Sequence, residues 1–221
     1  MTRATKVKKA RRAQAPPPKR QTRLPGGLLF LAGLGAVGIL AAGALLWQSD
    51  GGEGTFSGVP AADPGPVHVH GLGVNPADGA LYIATHTGMY RVAEGERKAE
   101  RVADRYQDTM GFTIVGPNRF LGSGHPDLRD DLPPLLGLIE STDAGESWEP
   151  ISLLGEADFH VLRFGGNRVY GYDASNDRLL VSADRGRTWN ELERPGLLVD
   201  LAVDPSNERR IVATSEEGLF E

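Results

Sequence analysis

From about residue 67 onward the chain is a succession of short apolar runs broken by Gly, Pro, Asn and Asp. Runs of that length between turn formers predict β-strands. A first unit has them at 68–74, 80–85 and 88–92, with a weak fourth around 97–102. A second offers 110–115, 119–123, 136–141 and 147–151, and a third 159–164, 168–172, 178–182 and 188–192. A fourth begins at 198–203 and 210–214. No stretch after residue 50 carries a 3.6-residue period, so this part is expected to be all-β. Residues 26–47 are different: 22 residues from Gly26 to Trp47 without one charge. At ~1.5 Å per residue such a helix spans ~33 Å, enough for a bilayer core.

The strand units repeat. Ser141-Thr142-Asp143-Ala144-Gly145-Glu146-Ser147-Trp148 and Ser182-Ala183-Asp184-Arg185-Gly186-Arg187-Thr188-Trp189 both fit S-x-D-x-G-x-x-W, with their tryptophans 41 residues apart. Val74-Asn75-Pro76 and Val203-Asp204-Pro205 lie 129 residues apart, three periods of 43. A period near 40 with several short strands is that of propeller blades. Each octapeptide is placed as the tight turn between the third and fourth strands. The Ser hydroxyl and Asp carboxylate (Ser141 and Asp143, Ser182 and Asp184) bond turn backbone. Gly145 and Gly186 supply positive φ, and Trp148 and Trp189 close over the blade. These eight residues are read as structural.

Charge then divides the chain. Nine of its 24 basic residues precede residue 24 and no acidic residue precedes Asp50, so the remainder holds 15 basic residues against 29 acidic ones. Residues 1–25 read as a basic cytoplasmic tail, with Pro16-Pro17-Pro18 against any packed helix. Residues 26–47 read as a transmembrane anchor, N-terminus inside by the positive-inside rule, residues 48–66 as a flexible tether, and 67–221 as the propeller domain. The expected location is the cell membrane, single-pass, with the C-terminal domain extracytoplasmic. A cleaved signal peptide ending at Ala42-Gly43-Ala44 is the competing reading, and it also gives export. The long basic leader and the apolar run continuing to Trp47 favour the anchor. An acidic body makes nucleic acid an unsuitable partner; the partners expected are the membrane through residues 26–47 and an envelope protein or small ligand. With no cysteine, disulfides, thiolate zinc sites and thiol nucleophiles are excluded.

The octapeptides resemble the Asp-box, or BNR repeat, of sialidases, sortilin-type ectodomains and photosystem II assembly factors. The segments His68-Val69-His70-Gly71-Leu72-Gly73-Val74-Asn75-Pro76 and Leu81-Tyr82-Ile83-Ala84-Thr85-His86 resemble bacterial envelope proteins of the "glycosyl hydrolase / exo-alpha-sialidase-like" group. The resemblance covers roughly residues 67–221. It implies a β-propeller of four-stranded Asp-box blades. About four are present, and the fourth ends at Gly218-Leu219-Phe220-Glu221 before an Asp-box of its own, which implies an incomplete propeller. Sialidase chemistry, as the resemblance implies it, needs three arginines on a carboxylate, a Tyr nucleophile and an Asp acid/base. The Arg-Ile-Pro tripeptide of that family does not occur here. Arg91, Arg119, Arg163 and Arg168 fall on strands or their turns, and Tyr170 and Tyr172 alternate with Gly171 as in an ordinary strand. No catalytic residue is assigned, and a divergent glycoside hydrolase remains the alternative function.

The histidines point elsewhere. Aligning the inner strands puts His70, Met110, His160 and Val199 at one position. Aligning the second strands puts His86, Gly124, Asp173 and Ser215 at another, with His125 one residue on. The start of an inner strand and the end of the second open on one face, opposite the Asp-box turns. His70, His86, His125 and His160 are therefore expected at one channel mouth, with Met110 and Asp173 near them and the acidic, Pro-rich insertion 125–134 beside them. Imidazole, carboxylate and thioether suit a transition-metal ion, for which His70, His86 and His160 are the candidate ligands. Polar lining of the mouth accounts for the same histidines without an ion. The function expected is a membrane-anchored binding or assembly module, with a metal-binding envelope protein as a further alternative.

Overall fold

The computed structural model describes residues 62–194 and 196–221. The expected tail, anchor and nearly all of the tether lie outside them. Among the described residues the regular structure is all strand, and no helix is long and apolar enough to cross a membrane.

The strands form four antiparallel sheets in chain order. Blade one holds β1 (Val69–Val74), β2 (Leu81–Thr85), β3 (Gly88–Val92) and β4 (Glu100–Arg101). Blade two holds β5 (Asp108–Gly116), β6 (Arg119–His125), β7 (Leu138–Ser141) and β8 (Glu149–Ser152). Blade three holds β9 (Phe159–Gly165), β10 (Arg168–Asp173), β11 (Arg178–Ser182) and β12 (Asn190–Leu192). Blade four has β13 (Leu198–Asp204), β14 (Asn207–Ser215) and β15 (Gly218–Phe220). The inner strands pack in series, β1 on β5, β5 on β9 and β9 on β13. This is a four-bladed propeller.

Blades stack face to face, so each seam has its own core. Tyr82, Met89, Phe112 and Phe120 fill the first seam. Leu121, Leu138, Phe159, Leu162, Val169 and Leu180 fill the second, and Tyr170, Tyr172, Leu179, Val181 and Leu201 the third. Neighbours on one strand face opposite seams: Phe120 enters the first and Leu121 the second, Leu179 the third and Leu180 the second. That is the period of two in a strand. Middle strands buried on both faces therefore read as continuous apolar runs, as β10 and β11 do. Phe120, with no exposed surface, contributes roughly 2–3 kcal/mol by leaving water.

Both octapeptide turns join the third strand to the fourth, with one hydrogen-bond set. Ser141 Oγ donates to Asp143 Oδ1 at 2.8 Å and accepts from Gly145 N–H at 2.8 Å. Ser182 Oγ, Asp184 and Gly186 repeat this at 2.7 and 2.7 Å. The carboxylates also accept from backbone N–H and hydroxyl of Ser147 and of Thr188. At Asp184 these bonds, Thr188 hydroxyl first, hold the carboxyl far below the usual carboxylate range. At Asp143 burial is the largest influence and acts upward, yet the bonds from Ser147 and Ser141 together leave the carboxyl lowered. With the N–H groups of Ser147 and Thr188 taken by carboxylates, the fourth strands begin later than the apolar pattern suggests, at Glu149 and Asn190. Two consecutive residues are left-handed in each turn, Ala144 and Gly145 (φ 61° and 92°) and Arg185 and Gly186 (φ 61° and 86°).

The tryptophans reach past their own blade. Trp189 stacks on Phe159 with ring centroids 4.9 Å apart, and its Nε1–H donates to Ser152 Oγ of blade two at 3.0 Å. Ser152 Oγ in turn donates to the Gly186 carbonyl at 2.5 Å. Trp148 packs against the first seam. Each octapeptide thus locks its blade to the preceding one.

Candidate functional site on the histidine-bearing face

Every inner strand carries one β-bulge near its start. The register slips between Val69 and Gly71, Thr109 and Gly111, and Leu198 and Asp200. The corresponding slip in blade three lies between the Phe159–Asp173 and Val161–Tyr172 pairs. The residues passed over are His70, Met110, His160 and Val199, the aligned position of the sequence lattice. A bulge inserts an unpaired residue and re-aims its side chain, so the device is built four times and two copies present a histidine.

In blade one, three imidazoles come together. His68 precedes β1 with φ 58°, a left-handed conformation uncommon for residues with a Cβ, though histidine is enriched there. His86 follows β2, its N–H directed at the Val67 and His68 carbonyls at 3.2 and 3.3 Å. Ring centroids of His68, His70 and His86 lie 4.6–5.0 Å apart. One ring nitrogen of each lies within 4.8 Å of those of the other two. His70 Nε2 is 3.3 Å from His86 Nδ1. Asp108, at the start of β5, brings Oδ1 to 2.8 Å from His86 Nδ1 and 3.9 Å from His70 Nε2. A carboxylate only accepts, so His86 donates its Nδ1 proton to Asp108. Burial and the adjacent His86 push the His70 imidazole below its usual value, with Asp108 drawing it partly back.

One seam further on, Asp158 takes two more histidines. His160 Nε2–H donates to Asp158 Oδ2 at 2.8 Å and His125 Nε2 lies 3.7 Å from the same oxygen. His125 Nδ1–H donates to the Pro134 carbonyl at 2.8 Å, which ties it to the insertion. The hydrogen bond to Asp158 raises the His160 value against the opposing effect of burial. Asp158 Oδ1 is buried without a hydrogen-bond partner.

The insertion is pinned by Asp127, 1% exposed. Its carboxylate accepts from Tyr106 N–H at 2.7 Å and from the backbone and side chain of Arg129. Burial would raise its pKa, yet these bonds, Arg129 first, hold it well below the usual range.

Of the residues singled out by sequence, His70 and His86 meet directly, and His125 and His160 share Asp158. Met110 is half-buried on β5. Asp173 is fully buried and occupied structurally: Oδ1 accepts from Asp158 N–H at 3.1 Å and Oδ2 from Asn176 and Arg178 at 2.9 and 2.7 Å. Of the candidate metal triad, His160 stands with Asp158, and His68 takes the third place beside His70 and His86. Sequence reasoning missed His68, Asp108 and Asp158. His68 lay inside a predicted strand and Asp108 in a predicted linker.

A cleft of about 410 Å3 runs beside this cluster along β1 and β5, lined among others by His70, Leu72, Phe112, Ile114 and Arg163. The arginines of the sialidase comparison are engaged singly: Arg91 with Asp78, Arg119 with Glu140, Arg163 with Asp200, Arg168 with Glu208. Tyr170 and Tyr172 donate their hydroxyls to the Glu208 carbonyl and Asp177. A separate cavity of about 140 Å3 is lined by Arg119, Arg185 and Arg187 with Glu140, on the side of the octapeptide turns.

No family model matches the chain, and no curated protein is significantly similar to it. Among solved structures, an ancestral GH74 enzyme is similar with a TM-score of 0.52 at 14% identity, over 72% of this chain and 23% of that one. A GH74 enzyme from Niastella koreensis gives 0.49 at 16%, over 64% and 24%. YCF48 bound to D1 peptide gives 0.47 at 16%, over 69% and 48%. The chain thus spans about a quarter of the length of the two GH74 enzymes and about half that of YCF48. At 14% identity the first likeness shows a shared propeller fold alone.

Proposed function

We propose that this chain is a membrane-anchored, extracytoplasmic propeller of the Asp-box type that binds a small ligand or an envelope protein at its histidine-bearing face. One observation carries the reading. All five histidines of the chain gather in two clusters around Asp108 and Asp158, on the face opposite the turns that account for its most distinctive motif. Convergent polar groups beside a cleft of mixed polar and apolar lining are what binding sites present. The two identical Ser–Asp–Gly turns support the Asp-box assignment, and the charge step across residues 26–47 supports the anchor.

A photo-crosslinking amino acid at position 125, on the histidine face, and at position 206, in the β13–β14 turn, tests this in cells. Crosslinks from 125 and none from 206 are expected; crosslinks from 206 alone overturn the choice of face. Protease added outside intact cells should cut residues 68–221 and spare 1–20, and the opposite pattern overturns the topology. A glycosidase reading would draw on the cavity of Arg119, Arg185 and Arg187, which could hold a carboxylate. Triple substitution there should leave the 125 crosslink unchanged.

A further inference from the structure

We propose that His68, His70 and His86, with the Asp108 carboxylate, form a binding site for a late first-row divalent cation, Zn2+ foremost. The inference rests on the reading of this face as the binding face and names what it takes.

Distance is the first argument. A four-coordinate zinc with bonds of ~2.0–2.1 Å has ligand-to-ligand edges of about 3.3 Å. His70 Nε2 and His86 Nδ1 are 3.3 Å apart. Asp108 Oδ1, at 2.8 and 3.9 Å from the same two atoms, brackets that edge. His68 completes a set whose nitrogens all lie within 4.8 Å of one another. Closing on one ion requires the wider separations within that 4.8 Å limit to shorten toward the edge that His70 and His86 already hold.

Construction is the second. Three unrelated backbone devices deliver the rings to one point: a left-handed residue at His68, a bulge at His70, and the strand end at His86. Non-glycine left-handed residues and bulges cost energy and collect at functional sites. Three imidazoles packed on one another have poor hydrogen-bond use for their nitrogens, since a neutral ring offers one donor and one acceptor. A cation uses all three.

Donor chemistry is the third. Three imidazoles and one carboxylate select zinc, copper or nickel over calcium or magnesium, which take oxygen. Loading needs the Nδ1 lone pair of His86, so its proton moves to Nε2 by a change of tautomer and the Asp108 carboxylate turns from that hydrogen bond to the ion. His70 is the sheltered ligand, its side chain 14% exposed, while His86 is 40% exposed. The ion is therefore reachable from the channel mouth, as capture and release require. Because Asp108 belongs to blade two and the histidines to blade one, the ion bridges a seam.

The test is Zn2+ titration of the full-length protein in detergent, against a chromophoric chelator, with Co2+ as a spectroscopic probe. One equivalent per chain is expected, and strong visible Co2+ absorption from a four-coordinate centre. His70→Gln and His86→Gln should each weaken Zn2+ by at least tenfold, while His160→Gln leaves it unchanged. Thermal melts of the ion-free variants check that they fold; should either fail, His68→Gln and Asp108→Asn replace it. Absence of saturable 1:1 binding overturns the proposal, as does loss of binding in His160→Gln with retention in His70→Gln. If Zn2+ does not bind yet position 125 still crosslinks in cells, the cation inference falls and the binding face stands. If Zn2+ binds and crosslinks come only from 206, the reverse holds.

Discussion

Gly186 and Gly145 hold the same place in two copies of one turn, yet their surroundings differ in a way that substitution by alanine should expose. Both are left-handed, at φ 86° and 92°, so a Cβ costs about 1–2 kcal/mol at either position from backbone strain alone. At Gly145 the nearest atoms to that Cβ, on Met89 and Val102, stand at 3.6 Å, which is ordinary contact. At Gly186 it would fall 2.0 Å from Leu138 Cδ2. Leu138 is fully buried in the second seam, so it cannot swing into solvent. Displacing it adds an overpacking cost of about 1–3 kcal/mol. Gly145→Ala should therefore lose about 1–2 kcal/mol and Gly186→Ala about 2–5 kcal/mol. At ~2–4 °C per kcal/mol for a domain of this size, the second variant should melt lower than the first by roughly 2–12 °C. Near-UV circular dichroism of the full chain in detergent, with Trp148 and Trp189 reporting on the two seams, measures both. A double-mutant cycle with Leu138→Ala assigns the excess, because the shorter side chain makes room for the new methyl and the two effects should couple favourably. Equal melting shifts, or additive ones in the cycle, would refute the claim that the octapeptide turn of blade three is packed against blade two.

Three further outcomes follow from the polar contacts. Asp127→Asn removes charged hydrogen bonds worth about 1.5–3 kcal/mol, so the insertion should open about 10- to 100-fold more often and be cut correspondingly faster by protease, with the rest of the domain intact; unchanged cutting would contradict the pinning role. Asp63, bonded to Arg101, to the Gly65 N–H and to the Tyr90 hydroxyl, has a carboxyl lowered to about 2, so its contribution is present above about pH 4 and fades as pH falls toward 2. Pepsin should then cut wild type near residues 62–67 increasingly over that range, whereas Asp63→Asn should be cut at one rate throughout. His160 is raised by Asp158, with Asp108 and Asp173 adding to it, so its contribution is full below the ordinary histidine value of ~6.5 and is lost as pH rises through the folded value. The difference in melting temperature between wild type and His160→Gln should accordingly shrink from pH 5.5 to pH 8, and a constant difference would rule out the His160–Asp158 contact as its source.

What could be read from the chain alone follows the range of the forces involved. Strand positions and blade period were legible because a strand's alternation and a turn's Ser, Asp and Gly are local requirements. The octapeptides carried the four-stranded lattice of blades two and three to within a residue or two. That lattice also aligned His70, Met110, His160 and Val199 without any sign that the shared position is a bulge, since a bulge is a relation between two strands. Asp173 shows the opposite limit: its position at the end of the second strand was legible, but its full burial and its saturation by Asp158, Asn176 and Arg178 depend on contacts that the alignment does not contain. His68 was hidden by a left-handed backbone where the apolar pattern suggested plain strand. Asp108 and Asp158 were hidden because each serves a histidine from an adjoining element.

A propeller face can change its ligand without changing its fold because its bulged positions are not held by the seams. The cores lie between sheets, filled by Tyr82, Phe120, Leu138, Tyr170 and their neighbours, and any change there is felt across two blades. The bulged residue is passed over by the ladder, and in none of the four blades is it fully buried. At that position the four blades hold His, Met, His and Val, and the exposure of Val199, 63%, shows that the site tolerates a side chain with no polar partner. The two histidines diverge in the same way. His70 stands among other imidazoles and is driven toward the neutral ring, while His160 stands on a carboxylate and is driven toward the charged one. One lattice position thus favours the neutral ring in blade one and the protonated ring in blade three, and the difference comes from the neighbours at each bulge.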